Sequence, residues 1–147
     1  MSMLPTSKLL PAIGFTCLAV HGCTAITGGA VEVSWGLRAS TGKAITCANS
    51  GVDSIRLWWE VASSDADGAV SSTRRFDQFP CGDARGITGF DLPVGTASLW
   101  LSPVCEGDRE PAAGTYRAPA PIVRTITEGD VITLDTQVIE LDEGACE

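Results

Sequence analysis

Histidine is nearly missing from this 147-residue chain, which has only His21. Lysine is almost as scarce, with Lys8 and Lys43, and tyrosine occurs once. No apolar run reaches the ~18 residues that a bilayer-spanning helix requires. No hydrophobic pattern of period 3.6 is visible after residue 22. These absences exclude whole classes of activity. If His21 is lost with a leader, what remains can build neither a Ser-His-Asp nor a Cys-His site, nor any histidine-ligated metal centre. Positive charge is also short, at 10 basic against 18 acidic residues. Lys8 is the only charged side chain before Cys23, so the chain from there on carries nine basic and eighteen acidic groups. Such a surface repels phosphate backbones, and nucleic acid is not an expected partner.

What is present begins with a segment of recognisable layout. Met1 to Lys8 is polar with one positive side chain, and Leu9 to Val20 is an apolar run of 12 residues. That run is too short to span a bilayer and has the length of a secretory signal's apolar core. Pro11 argues against a long structural helix. Residues 1–22 are therefore expected to be a signal peptide; the alternative is a buried first helix of the domain.

The next four residues are Val20-His21-Gly22-Cys23. They resemble the lipobox of bacterial lipoproteins, an aliphatic residue and two small residues before a cysteine, with His21 departing from the pattern. The resemblance implies cleavage before Cys23 and a diacylglycerol on its thiol, with the membrane as partner through that N-terminal lipid. Thr24, where aspartate would favour retention in the inner membrane, is similar to the outer-membrane sorting pattern. Cleavage after Ala25 or Ala30 is the alternative and would give a soluble secreted protein.

Six cysteines are present. Cys17 belongs to the leader, and acylation would take Cys23. The remaining four, Cys47, Cys81, Cys105 and Cys146, are an even number, which in an exported domain reads as two disulfides. Three pairings are open, and sequence neighbours favour Cys47–Cys81 with Cys105–Cys146. A zinc site is the rival, but no C-x-x-C pair occurs.

Beyond a short tether over 23–30, the chain is divided into brief alternating runs separated by Gly, Pro, Ser and Thr. Val31, Val33, Trp35 and Leu37 share one face of a strand; Ile55, Leu57, Trp59 and Val61 share another. Ser63 to Ser72 reads as a hairpin loop, with Arg74 to Phe79 returning. Ala97, Leu99 and Leu101 point inward from Thr96 to Ser102. Residues 121–127 and 131–134 read as a hairpin around Glu128-Gly129-Asp130. The expected architecture is all-β: a two-sheet antiparallel sandwich of seven to eight strands over residues 31–142, prealbumin-like or immunoglobulin-like, ending in an acidic tail at 143–147. The segment Leu92-Pro93-Val94-Gly95-Thr96-Ala97-Ser98-Leu99 resembles the turn into a strand found in carboxypeptidase regulatory-like and other transthyretin-like sandwiches. Glu128 to Leu134 is similar to the last hairpin of those domains. That resemblance implies a fold but no particular function.

Candidate chemistry is sparse. No pair of carboxylates stands out for glycoside hydrolysis, and neither an enzyme nor a cofactor is expected. Asp65-Ala66-Asp67-Gly68 has the start of a calcium loop, but Arg74 stands where its closing glutamate would be, so a hairpin tip is the simpler reading. Trp58 and Trp100 fall on the polar faces of their strands, whereas Trp35 and Trp59 fall on apolar ones. If the two outward strands are neighbours, Trp58 and Trp100 form an aromatic platform flanked by Arg56 and Glu60, suited to a glycan or a protein partner. The alternative is that segment 106–119 or arginine side chains cover both indoles. The expectation is a non-enzymatic interaction or structural module of the cell envelope, with a carbohydrate-binding module as the alternative.

Overall fold

The computed structural model describes residues 26–64, 68 and 70–147. Among these, ten strands follow in chain order: β1 (Ala30–Ala39), β2 (Ala44–Ile45), β3 (Val52–Ser64), β4 (Val70–Pro80), β5 (Arg85–Ile87), β6 (Gly95–Cys105), β7 (Tyr116–Arg117), β8 (Ile122–Ile126), β9 (Val131–Thr133) and β10 (Gln137–Leu141). They form two sheets, one of six strands around β1 and one of four in the order β4-β3-β6-β8. The chain is an all-β sandwich, as its alternating runs predict. The strand count exceeds the expected seven or eight: β2, β5, β7 and β9 have only two or three residues each, and β7 lies in segment 106–119, where no alternation marks a strand.

Alternation decides which side chains meet between the sheets. Val31, Val33, Trp35 and Leu37 of β1 are buried, while Glu32, Ser34 and Gly36 between them are partly exposed. They pack on Ile55, Leu57, Trp59 and Val61 of β3 and on Ala97, Leu99 and Leu101 of β6. Burying a side chain such as Ile55 or Leu57 contributes about 1.5–3 kcal/mol, so this interface is the main source of stability.

The six-stranded sheet is mixed, which corrects the expectation of purely antiparallel sheets. β1 pairs in parallel with β9 and β10 and antiparallel with β2 and β5. Glu32 pairs with Thr133 and Trp35 with Gln137, so four steps on one strand face three on the other, a bulge between β9 and β10. Alternation reveals which residues face inward but carries no information on strand direction. The hairpin expected around Glu128-Gly129-Asp130 is also corrected. β8 pairs with β6 in one sheet and β9 with β1 in the other, so this turn is a corner between sheets. By contrast, β3 and β4 form the expected hairpin, paired from Ser54–Pro80 to Ser64–Val70.

At the start of the described chain, Gly29 exchanges backbone hydrogen bonds with Leu92, and Gly28 accepts one from Gly129. Both glycines are buried, and a Cβ on either would collide with backbone or side-chain atoms around it. The fold is therefore closed already at Gly28. At the other end, residues 143–147 pack on the sandwich: Ala145 is buried and Cys146 is cross-linked.

The disulfides are Cys47–Cys81 and Cys105–Cys146, with sequence separations of 34 and 41. This is the pairing favoured by sequence proximity. Each stabilises by about 2–5 kcal/mol through restriction of the unfolded chain. Two such bridges belong to an oxidising, exported environment. Among the described residues, no helix is long and apolar enough to cross a membrane.

Candidate functional site

The outer face of the four-stranded sheet carries the candidate residues. On β3, Arg56, Trp58 and Glu60 alternate with the core residues and point away from them. Register then sets their neighbours: Arg56 lies between Gln78 and Ser102, Trp58 between Phe76 and Trp100, and Glu60 between Arg74 and Ser98. The middle row is wholly aromatic. Trp58 and Trp100 stack with ring centroids 6.1 Å apart and planes within 6°. Phe76 tilts against the other side of Trp58 at 4.8 Å and 57°. Both indoles are half-buried, and Phe76 is exposed. The Trp58 Nε1–H donates to Ser102 Oγ at 2.8 Å, which fixes the ring's orientation.

Arg56 does not flank the platform as an open charge. It is 7% exposed. Its Nε donates to Gln78 Oε1 at 2.9 Å and one terminal nitrogen to Asp108 Oδ1 at 2.6 Å. The other terminal nitrogen is 3.7 Å from Glu110, and the guanidinium lies 4.6 Å from the centre of the Phe76 ring. Gln78 in turn donates to Ser54 Oγ at 2.9 Å. Segment 106–119 thus does reach over this face, but it covers the Arg56 row and leaves the aromatic row open along one side. The covering groups, Asp108 and Glu110, are themselves largely exposed.

Glu60 borders the opposite side of the row. Arg74 donates to its Oε2 through two nitrogens, at 3.0 and 2.8 Å, and lies 5.4 Å from the Trp100 ring centre. The Arg74 hydrogen bond holds the Glu60 carboxyl below its ordinary pKa, helped by Ser72 and by the arginine's charge.

Trp58, Trp100, Ser102, Arg74, Glu110 and Tyr116 together line a shallow pocket of about 300 Å³. Burial, reinforced by the negative charge of Glu110, raises the Tyr116 pKa, and the phenol, already protonated at neutral pH at its ordinary value, can donate a hydrogen bond. The pocket offers aromatic surface and hydrogen-bonding groups of both polarities. Among the described residues, no group of three His, Cys, Asp or Glu side chains is placed to hold a metal. The Asp65-Ala66-Asp67 part of the candidate calcium loop lies outside the described residues, as does Cys23.

The sequence identifies Trp58 and Trp100 as a pair, and the structure brings them into contact. Phe76, Arg74, Ser102, Glu110 and Tyr116 are additions. Phe76 and Arg74 could be found by assuming a symmetric β3–β4 hairpin, which puts them opposite Trp58 and Glu60. Tyr116 and Glu110 come from an irregular segment without periodicity. Comparisons of the chain with protein-family models, with curated proteins and with solved structures find no match.

Proposed function

We propose that this chain is an exported bacterial lipoprotein, held in the outer membrane through acylated Cys23 and presenting a non-enzymatic recognition sandwich at the cell envelope. The observation that carries this reading is the disulfide pairing. It joins Cys47, Cys81, Cys105 and Cys146 to one another, which accounts for every cysteine after the proposed leader except Cys23, the one in the lipobox-like setting. Two acyl chains on that residue, at about 0.8 kcal/mol per buried CH₂, give stable attachment.

Two further observations support the reading. The fold is pinned from Gly28, so a lipid on Cys23 would hold the sandwich close to the bilayer. The end of the domain where the chain enters carries exposed apolar side chains. Ile26 precedes Gly28 and Gly29, Phe90 and Val94 flank Leu92, and Val131 pairs with Ala30. The proposed kinship with transthyretin-like sandwiches is supported by the Leu92–Leu99 turn, where Leu92 is fully buried and Gly95 has φ +140°. The corner at Glu128-Gly129-Asp130 lends it no support.

Mass spectrometry of the full chain expressed in a bacterium with lipoprotein processing tests the proposal. The expected N-terminal peptide begins at diacylglycerol-modified Cys23, and Cys23→Ser releases the protein from the membrane fraction. An intact Met1, or a mature chain starting at unmodified Ile26 or Val31, overturns it.

A further inference from the structure

We infer that the pocket framed by Trp58, Trp100 and Tyr116 binds an uncharged pyranose ring of a glycan. This deepens the recognition reading but does not depend on acylation of Cys23. Three observations on the outer sheet face point the same way.

The first is the form of the apolar surface. Phe76, Trp58 and Trp100 stand in one cross-strand row, with centroid spacings of 4.8 and 6.1 Å. Tyr116 lines the same pocket as the two indoles. Stacked on each other, and braced by Phe76 and by Arg74 over Trp100, the indoles keep a partly exposed apolar surface on which the C–H groups of a sugar ring can pack, with a polar handle within reach. The row is longer than one sugar ring, so a chain rather than a lone monosaccharide is the natural occupant.

The second is the polar rim. Ser102, Arg74, Glu110 and the protonated Tyr116 hydroxyl supply both donors and acceptors around the aromatic floor. Sugar hydroxyls need both at once. The single cation and single carboxylate lining the pocket offset each other, and Arg74 is already paired with Glu60. A neutral ligand is therefore favoured over an acidic sugar or a nucleotide, and the excess of 18 acidic over 10 basic residues reinforces that choice.

The third is rigidity. Trp58 is fixed by Ser102 and wedged against Phe76, and Phe76 rests on the immobilised Arg56. A floor already set before binding avoids the ordering cost of mobile side chains, which matters for a ligand with few apolar contacts. At about 300 Å³ the pocket is at the small end of ligand sites.

The test is a titration of the purified full chain in detergent micelles, followed by tryptophan fluorescence. The probes are cellohexaose, xylohexaose, mannohexaose, maltohexaose and chitohexaose, with polygalacturonate as the acidic comparison. At least one uncharged oligosaccharide should shift the emission and saturate between about 1 μM and 1 mM. Trp100→Ala should weaken that binding at least tenfold. Glu110→Gln and Tyr116→Phe, conservative changes at the rim, should each weaken it several-fold with near-ultraviolet circular dichroism unchanged. The absence of a response to every uncharged oligosaccharide overturns the proposal. So does a response that survives both Trp100→Ala and Glu110→Gln, or one that polygalacturonate produces equally well. None of these outcomes alters the mass of the N-terminal peptide, so failure here is separable from failure of the anchoring proposal.

Discussion

Trp58 on β3 and Trp100 on β6 are direct cross-strand partners whose indole planes lie within 6° of parallel. They are more than forty residues apart in sequence and brought together by antiparallel register. Aromatic pairs of this kind contribute about 0.5–1.5 kcal/mol beyond the area they bury. A double-mutant cycle with Trp58→Ala and Trp100→Ala, followed by urea denaturation, should give a coupling energy in that range. A coupling near zero would mean that the rings are neighbours without supporting one another.

Arg56 should matter more for stability than its place on an outer face suggests. It is buried, yet three polar partners and an aromatic ring engage it. Because Asp108 and Glu110 are largely solvated, removing the arginine leaves no stranded buried carboxylate, and the full penalty for breaking a buried ion pair does not apply. Arg56→Ala should cost about 1–3 kcal/mol through lost packing and hydrogen bonds. Arg56→Met, which keeps the apolar stem, should cost less. Urea midpoints of the two variants compare them directly, and equal losses would assign the whole effect to the charge.

Much of the four-stranded sheet could be read from the sequence because its strands are long and strictly alternating. Ile55, Leu57, Trp59 and Val61 repeat every second position, as do Ala97, Leu99 and Leu101. The outward placement of Trp58 and Trp100 follows from the same pattern. The disulfide partners were accessible from proximity along the chain. The direction of β10 against β1 was not, since a parallel pair and an antiparallel pair show the same alternation. The corner at Glu128-Gly129-Asp130 was hidden for a related reason: Gly129 has φ +77°, which suits a hairpin and a sheet crossing alike. The burial of Arg56 depends on where segment 106–119 lies, and that segment has no period to read. The same irregularity concealed Tyr116 and Glu110 at the candidate pocket.

Phe79 and Gly86 show how closely the edge of the core is packed. The Phe79 ring lies directly over Gly86 and stacks on Trp35 with centroids 6.1 Å apart. A methyl group at Gly86 would occupy the space of the Phe79 ring, which must then shift away from Trp35. Gly86→Ala should destabilise by about 1–3 kcal/mol, as overpacking does. Gly36 lies on the outer face of β1 with open space around its Cα, so Gly36→Ala should change stability by no more than about 0.5 kcal/mol. Thermal unfolding of both variants makes the comparison, and similar losses at the two sites would contradict the packing argument.

Tyr116 is the chain's one tyrosine, so the absorbance change of tyrosinate formation reports this site alone. Its pKa is raised chiefly by burial and secondarily by Glu110. The unfolded chain, where the phenol ionises at its ordinary value, gives up its proton at lower pH than the folded chain does. The associated stability is therefore complete below the ordinary tyrosine pKa of about 10 and is lost as the pH rises through the folded-state value. Glu110→Gln should lower the Tyr116 midpoint only in part, because the larger cause, burial, remains. A return to the unfolded value would make charge the dominant cause. No change at all would show that the Glu110 carboxylate does not act on the phenol and that burial alone raises its pKa.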